Sequence, residues 1–369
     1  CFPDDLYFSS HDTEKLHQHK YSCTDHSVLN TFILNDYLYK PIVNYIVPSW
    51  VAPNILSICG LLFCVVALIV NYLGCFGRFE YLVVGLCIFL YQVFDSLDGV
   101  QARKTKSASS LGELVDHGID AITQGLIVLI LSRQCGMTQG QQTALIVAGY
   151  VVFYITHLKG YFDNYLEFGY ILNPTEALCV ISVYEISRTI FNLTPEKFQR
   201  ASIYGFSINT TIIVFLLSCA TLYTLVTLFR VWKNNGLLKT VYPFIIVALS
   251  ATLIMLAPTS SDILLQVKFH IGILLFSHYN QLFIAHSILQ IYRPGIGYFY
   301  STFIILSAVI TIDISNYDLI TGMHLGVDSF FTTIIILLTC ALTLLGEVSL
   351  ISNVFTVFSR VLRIHPFSV

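Results

Sequence analysis

The sequence predicts an all-α integral membrane protein of about ten transmembrane helices, with an amphipathic interfacial helix at its N-terminus. Three observations carry that prediction. Hydrophobic residues fill 55% of the 369 positions and charged residues only 11%, against about a quarter charged in a soluble domain. Apolar runs recur from Val51 to the C-terminal region, each near the roughly 20 residues that a spanning helix needs. Most lysines and arginines fall in the short segments between those runs.

Residues 1–25 are polar and read as a surface segment without a signal-peptide pattern. Over 26–48, Leu29, Phe32, Ile33, Tyr37, Leu38, Ile42 and Ile46 recur at helical spacing. That pattern fits a helix lying in the membrane interface, the alternative being a soluble helix packed on the domain. We divide the chain into this N-terminal part, 1–48, and one membrane domain, 49–369. Candidate spans run near 54–73, 80–103, 112–132, 142–159, 172–192, 208–231, 240–257, 262–292, 298–314 and 328–350. The eighth is long enough to be broken or strongly tilted. Cys59, Cys64, Cys87, Cys219 and Cys340 lie inside these runs and read as small core residues, not as a disulfide framework.

Orientation follows from the cations. Arg103, Lys104 and Lys106 follow the second span, Lys159 the fourth, and Arg230, Lys233 and Lys239 the sixth. Arg293 follows the eighth, and Arg360 and Arg363 the tenth. All these loops share one side, which the positive-inside rule makes cytosolic. Lys197 and Arg200, after the fifth span, break the pattern. A net charge of −3 without a long basic run argues against a nucleic-acid partner.

Four carboxylates stand out at the ends of adjoining spans: Asp95, Asp98, Asp116 and Asp120. Charge at membrane depth is costly and marks function by default. Spacings of three and four put each pair on one helix face. Asp95, Asp98, Gly99, Ala102 and Arg103 share an arc of roughly 140°, and so do Gly112, Glu113, Asp116, His117 and Asp120. Two acidic faces therefore converge across the polar loop Lys104–Leu111. A hard divalent cation, Mg²⁺ or Mn²⁺, would relieve their repulsion and bridge them to phosphate oxygens. Gly99, Ala102 and Gly112 clear bulk from those faces, although each glycine alone could serve helix packing. Arg103 offers a planar fork of donors for phosphate, and Gly112 opens a helix whose N-terminal N–H groups favour anions.

These residues form a pattern. Asp95-Ser-Leu-Asp98-Gly99-Val-Gln-Ala102-Arg103, then Gly112, Asp116 and Asp120, resembles the complete signature of the CDP-alcohol phosphotransferases. The flanks Val47-Pro-Ser-Trp-Val-Ala-Pro-Asn54, Leu111-Gly-Glu-Leu-Val-Asp-His-Gly118 and Pro174-Thr-Glu176 are similar to the eukaryotic choline and ethanolamine branch. So are Lys20-Tyr-Ser, His270 and Ala285-His286; the likeness weakens between roughly 160 and 260. The resemblance implies a ten-helix homodimer of the endoplasmic reticulum or Golgi, with a catalytic core about 50–192 that opens to the cytosol. It implies transfer of phosphocholine or phosphoethanolamine from CDP-choline or CDP-ethanolamine to diacylglycerol, releasing CMP, with two Mg²⁺ or Mn²⁺ ions. By the family pattern Asp95, Asp98 and Asp116 are metal ligands, and Asp120 is a candidate base that also touches the second ion. Gly99, Ala102, Arg103 and Gly112 line the CDP pocket, with Asn54 and Glu113 at its border.

Two residues compete for the proton of the attacking hydroxyl. Asp120 lies on the metal face, where a cation depresses its basicity. His117, three residues away, has an ordinary pKa of about 6.5 and could be oriented by Asp120 or Glu113. For the head group, Glu113, Glu176, Tyr91, Tyr154 and Tyr161 are candidates, since aromatic faces and carboxylates favour quaternary ammonium; a core or lipid-facing position is the commoner role for each aromatic, and a favourable helix-start charge is the alternative for Glu176. Two rival functions remain open. One is the same chemistry on CDP-diacylglycerol with inositol, serine or glycerol phosphate. The other is a cation transporter, which leaves Gly99, Ala102, Arg103 and Gly112 unexplained.

Overall fold

A computed structural model describes residues 16, 23–169, 173–203, 205–234, 237–257, 262–290, 326–362 and 367. The chain turns helical after Ser27, passes through wide π-type turns over Asn30–Tyr39 and continues as α1, Lys40–Tyr45. The membrane helices follow: α2 Pro53–Leu73, α3 Phe79–Thr105, α4 Ser110–Gln134 and α5 Gln139–Asp163. Then come α6 Pro174–Phe191, α7 Pro195–Arg200, α8 Ile208–Val231, α9 Leu237–Leu256, α10 Asp262–Ile288 and α11 Gly326–Leu362.

Local chemistry sets these limits. Pro53 opens α2 at a position that needs no N–H donor. Gly74, at φ 58°, closes it in the left-handed region. The Ser109 hydroxyl accepts from the Gly112 amide and caps α4. Thr138 and Gln141 form a reciprocal capping box at the start of α5.

Among the described residues, six helices are long and apolar enough to cross a membrane: α2, α3, α4, α5, α8 and the Thr343–Leu362 part of α11. The chain is a multi-pass membrane protein, and six is the count among the described residues against about ten expected of the whole chain. The differences have physical causes. α6, at the expected fifth span, carries Glu176, Glu185 and Arg188, which dilute its apolar character. α9, Leu237–Leu256, is an apolar helix of 20 residues with Lys239 as its one charge. α10, expected to be broken or tilted, is one unbroken helix of 27 residues. Its run Ser277-His-Tyr-Asn-Gln281 lowers its hydropathy, and that run is buried inside the bundle. The span expected at 298–314 lies outside the described residues.

Two small strand pairs interrupt the all-α architecture. β1, Cys23–Asp25, pairs in parallel with β2, Leu166–Phe168, in the register Cys23↔Leu166. β3, Ser202–Ile203, pairs antiparallel with β4, Phe206–Ser207. β1 was read from sequence as irregular surface chain; pairing with β2 ties the N-terminal region to the end of α5.

The core divides around α4. One apolar cluster joins α2, α3, α4, α10 and α11 through residues such as Cys64, Val84, Ile88, Ile130 and Ala285. A second joins α4 to α5, α9 and α10 through Leu129, Tyr150, Tyr154 and Phe276. Polar contacts add to the second. Ser277 and Tyr150 both donate to the Ala121 carbonyl, and Gln281 donates to the Gly118 carbonyl at 3.2 Å. The polar run of α10 therefore braces α4 beside Asp120. A third cluster seats the N-terminal helix, with Tyr39 and Val43 packed against Leu56, Val93 and Leu97. The opposite side of that segment exposes Phe32, Ile33, Tyr37, Tyr45 and Ile46.

Candidate active site

α3 and α4 are joined by the turn at Lys106 and both pack against α2, and their acid-bearing side chains meet near that turn. Carboxylate oxygens of Asp95, Asp116 and Asp120 lie within 4.8 Å of one another. Asp98 stands beside this group: it interacts with Asp116 on one side and accepts a short hydrogen bond from the Ser57 hydroxyl of α2 on the other. The expected four-aspartate cluster is thus assembled, with three at its centre and the fourth anchored to α2. Ser57 was not foreseen. Its signal in the sequence was a polar residue one turn beyond Asn54 in an otherwise apolar run.

Asp120 has a second partner. Tyr91 donates to its Oδ1 at 2.5 Å, and the Thr123 hydroxyl donates to Tyr91 at 2.7 Å. Tyr91, read from sequence as a head-group candidate, is instead buried at 4% exposure and positions a carboxylate. Tyr154 is also a core residue: it donates to the Thr240 carbonyl at 2.8 Å and stacks on Phe244. Tyr161 packs edge-on against Phe162 and Phe283. Glu176 accepts from the Ser27 hydroxyl at 2.8 Å and the Leu29 amide at 3.0 Å. It holds the start of the N-terminal helix, where a negative charge is favourable.

His117 is buried beside the cluster but turned to the α5 side of α4. Its ring meets that of His157 edge-on, with centroids 5.2 Å apart. His157 is fixed by donation from Nδ1 to the Phe153 carbonyl at 2.9 Å. Sequence reasoning did not single out His157, because nothing local marks one histidine on an apolar helix.

The small residues divide into two kinds. A Cβ on Gly99 would meet only the Arg103 guanidinium, at 3.5 Å or more. One on Gly112 would touch Ser109 Oγ at 3.5 Å and Asn54 Oδ1 at 3.7 Å, both ordinary contact. Helix packing therefore requires neither glycine. On Gly85 the same atom would meet the Ser182 carbonyl at 2.9 Å, and on Gly125 it would run into Tyr150 and Ile273. Those two are packing glycines, whereas Gly99 and Gly112 keep an open floor beside the acids. Asn54, buried at the start of α2, faces that floor. Ala102 and Glu113 are half-buried at its edge, and Arg103 is exposed above it.

The loop before α2 is held to the same end of α3. Gln101 donates to the Pro48 and Val51 carbonyls at 3.0 and 2.8 Å. Lys104 donates to the Val43 and Val47 carbonyls at 2.5 and 3.2 Å. Lys104 thereby satisfies carbonyls at the C-terminal end of α1, where a cation is favoured.

Like charges gathered in a bundle destabilise it unless a counter-charge joins them. A set of hard oxygen donors this close suits a divalent cation. The residues fit such an ion.

Comparison with known proteins agrees with this geometry. The sequence model for the CDP-alcohol phosphatidyltransferase family matches residues 50–165. Choline/ethanolaminephosphotransferase 1 of Arabidopsis thaliana is 34% identical over 185 residues, 48% of this chain and 46% of that protein. Choline/ethanolaminephosphotransferase 1 of Saccharomyces cerevisiae is 30% identical over 191 residues, 48% of this chain and 47% of that protein. Cholinephosphotransferase 1 of Gallus gallus is 28% identical over 270 residues, 70% of this chain and 75% of that protein. The chain thus spans about half the length of the plant and yeast relatives it matches. Every side chain of the acid cluster and its glycine floor falls inside the matched segment, and the chain carries a CDP-alcohol phosphatidyltransferase domain.

Proposed function

We propose that the protein transfers phosphocholine or phosphoethanolamine from a CDP-alcohol to diacylglycerol, giving a phospholipid and CMP. The observation that carries this reading is the acid triad of Asp95, Asp116 and Asp120 beside the open floor of Gly99 and Gly112, inside the matched domain. The choline or ethanolamine assignment rests on the names of the relatives.

The acids would hold Mg²⁺ or Mn²⁺, as two ions, with Asp98 completing the set. When bound, such ions neutralise the diphosphate and stabilise departing CMP. The rest falls to the chain. The floor at Gly99, Ala102 and Gly112 admits the diphosphate against helix backbone. Arg103 grips its oxygens from the open side, and Asn54 and Glu113 border the nucleotide. Tyr91 and Thr123 fix the Asp120 carboxylate, and Ser57 fixes Asp98. Phosphoryl transfer needs such positioning more than strong base catalysis. The proton leaving the lipid hydroxyl passes to Asp120 or to His117, and separate variants decide between them.

The site lies at the end of the bundle that the positive-inside pattern assigns to the cytosol, where soluble nucleotide and membrane acceptor can meet. The N-terminal helix, with aromatic and aliphatic residues on its outer side, would lie in the interface beside it. We place the protein in the endoplasmic reticulum membrane as a homodimer, by the family likeness.

The test uses purified full-length protein with diacylglycerol and either CDP-choline or CDP-ethanolamine, with CMP and lipid products read by mass. Phosphatidylcholine or phosphatidylethanolamine formed only with divalent cation is the expected result. Turnover of CDP-diacylglycerol with inositol, serine or glycerol phosphate, and none of the former, would replace this reading. Separate Asp120→Asn and His117→Ala variants that both kept near wild-type turnover would remove both from the proton-acceptor role.

A further inference from the structure

At the end of the bundle away from the acid cluster, α2, α4 and α10 meet round one tyrosine. Tyr72, in the last turn of α2, donates its hydroxyl to Gln266 Oε1 of α10 at 3.0 Å. His270, one turn along α10, sets its ring 5.8 Å from the Tyr72 ring, centre to centre, and its Nδ1 donates to the Gln266 carbonyl at 2.7 Å. Arg133, in the last turn of α4, lays its guanidinium over the Tyr72 ring, 4.6 Å from the centroid. The proposed reaction uses none of these residues.

Arg133 is the unmet group. Among the described residues it has no carboxylate in ion-pair reach and donates no hydrogen bond, yet it is half-buried. A cation in the last turn of a helix suits the dipole, and an interfacial arginine can simply reach into water. Those readings account for the charge but not for the posture. Arg103 and Arg230, at the ends of other helices, stand exposed, whereas Arg133 lies back on a ring and bonds none of the last carbonyls of α4. Its nitrogens are open to the surface, not sealed within the bundle, and so is the Gln266 amide nitrogen. The carboxylates of this region are turned to other uses. Glu80 accepts from Asn71 and Gln134, both at 3.1 Å, and Asp262, one turn before Gln266, is exposed. A planar fork of donors without a counter-charge is left on the Tyr72 face, a fit for phosphate oxygens.

Depth names the source of the phosphate. Arg133 lies about 25 Å along α4 from Asp116, close to the thickness of a hydrocarbon layer of about 30 Å. Its guanidinium therefore sits at the headgroup level of the leaflet opposite the acid cluster. On the neighbouring face of α2, Leu62, Val66, Ile69 and Leu73 are exposed. That apolar row runs from the level of Tyr72 toward the middle of the layer, where acyl chains lie. We propose that Arg133 holds the phosphate of a phospholipid in this far leaflet, with the Gln266 amide donating to the same headgroup. Tyr72 sets the guanidinium in place, and the α2 row receives the chains.

The test uses the full chain in maltoside micelles without added phosphate. Trace phosphatidylglycerol and trace diacylglycerol, carrying the same diazirine near the ester end of one acyl chain, are photolysed separately and the labelled peptides are mapped by mass. Phosphatidylglycerol should label 66–73, 133–137 and 263–270 about ten-fold more than diacylglycerol does, a comparison that needs only the wild-type chain. Arg133→Gln should remove that preference, and Arg230→Gln, at the other end of the bundle, should leave it. Equal labelling by the two lipids, or a preference that survives Arg133→Gln, overturns the proposal. A preference lost equally in Arg230→Gln would reduce it to overall charge attraction. Displacement of phosphatidylglycerol by excess inorganic phosphate would give the site to a soluble anion and overturn the lipid assignment.

Discussion

Gly85 and Gly99 lie on the same helix and do different work. Replacing Gly85 with Ala drives a methyl into the Ser182 carbonyl at 2.9 Å, so overpacking should cost about 1–3 kcal/mol of stability and lower the melting temperature in a thermal-shift assay. Gly99→Ala and Gly112→Ala meet only ordinary contact within the protein. They should melt near wild type yet lose most CMP release, because the methyl occupies the floor meant for diphosphate. A melting loss in Gly99→Ala matching that in Gly85→Ala would assign both glycines to packing. At the centre of the triad, Asp116→Asn removes one of three crowded carboxylates. We expect turnover to fall by about 10²-fold or more with no loss of thermal stability when both proteins are compared in chelator, since a like-charge repulsion goes with the carboxylate. An active Asp116→Asn enzyme would show that the triad is not the site of transfer.

At the scale of elements, the N-terminal helix is docked through main-chain carbonyls. Gln101 and Lys104 reach four of them, at Val43, Val47, Pro48 and Val51. Gln101→Leu with Lys104→Met should raise hydrogen exchange over 28–51 while leaving α4 and α5 protected; unchanged exchange would mean that apolar contact alone seats the helix. The strand pair adds a pH-sensitive tether. Lys159 bonds to Glu167 and, with a lesser contribution from His26, holds that carboxyl below the usual glutamate range. A depressed folded pKa stabilises the pairing above the unfolded value of about 4.3, and the effect is lost as pH falls through the folded value. Protection at 23–25, relative to the intrinsic exchange rate at each pH, should therefore be steady between pH 6 and 8 and fall only in more acid solution, with Glu167→Gln showing the lowered protection at neutral pH. Much of this level was legible beforehand. The apolar runs located α2 to α5 and α8 to within a few residues, because their limits are chemical: Pro53, the Ser109 and Thr138 caps, Gly74. What escaped were partners far apart in the chain. Ser57 with Asp98, Tyr91 with Asp120, and His117 with His157 are separated by 41, 29 and 40 positions, and no local periodicity reports such pairs. Tyr91 was one of several aromatic head-group candidates for which a core position was the commoner expectation, and its bond to Asp120 leaves no local mark in the sequence.

For the whole molecule, the acid triad makes folding and metal supply interdependent. A cation that binds only the native state stabilises it by mass action, so EDTA should stop CMP release and lower the melting temperature, and Mg²⁺ or Mn²⁺ should restore both. A melting temperature indifferent to chelation would place the ion elsewhere. Apolar length alone does not separate helices that face lipid from helices that face protein. α10, rich in buried polar residues, belongs to the second kind, whereas α6 turns Val180, Val183 and Ile190 outward and keeps Glu185 and Arg188 inside. α6 carries a consequence for biosynthesis. Its Glu185 and Arg188 are paired and both fully buried. Arg188 also donates to the Gln134 and Leu193 carbonyls and lies 3.9 Å from the centre of the Tyr81 ring. Alone before the translocon, a segment with those charges in its second half would be disfavoured, by up to the roughly 2.5–3.5 kcal/mol that a charge costs at a helix centre. Its entry must wait until Tyr81 and the Gln134 carbonyl, made earlier on the ribosome, are already in place to receive the guanidinium, so the order of synthesis is itself a condition for this bundle to assemble.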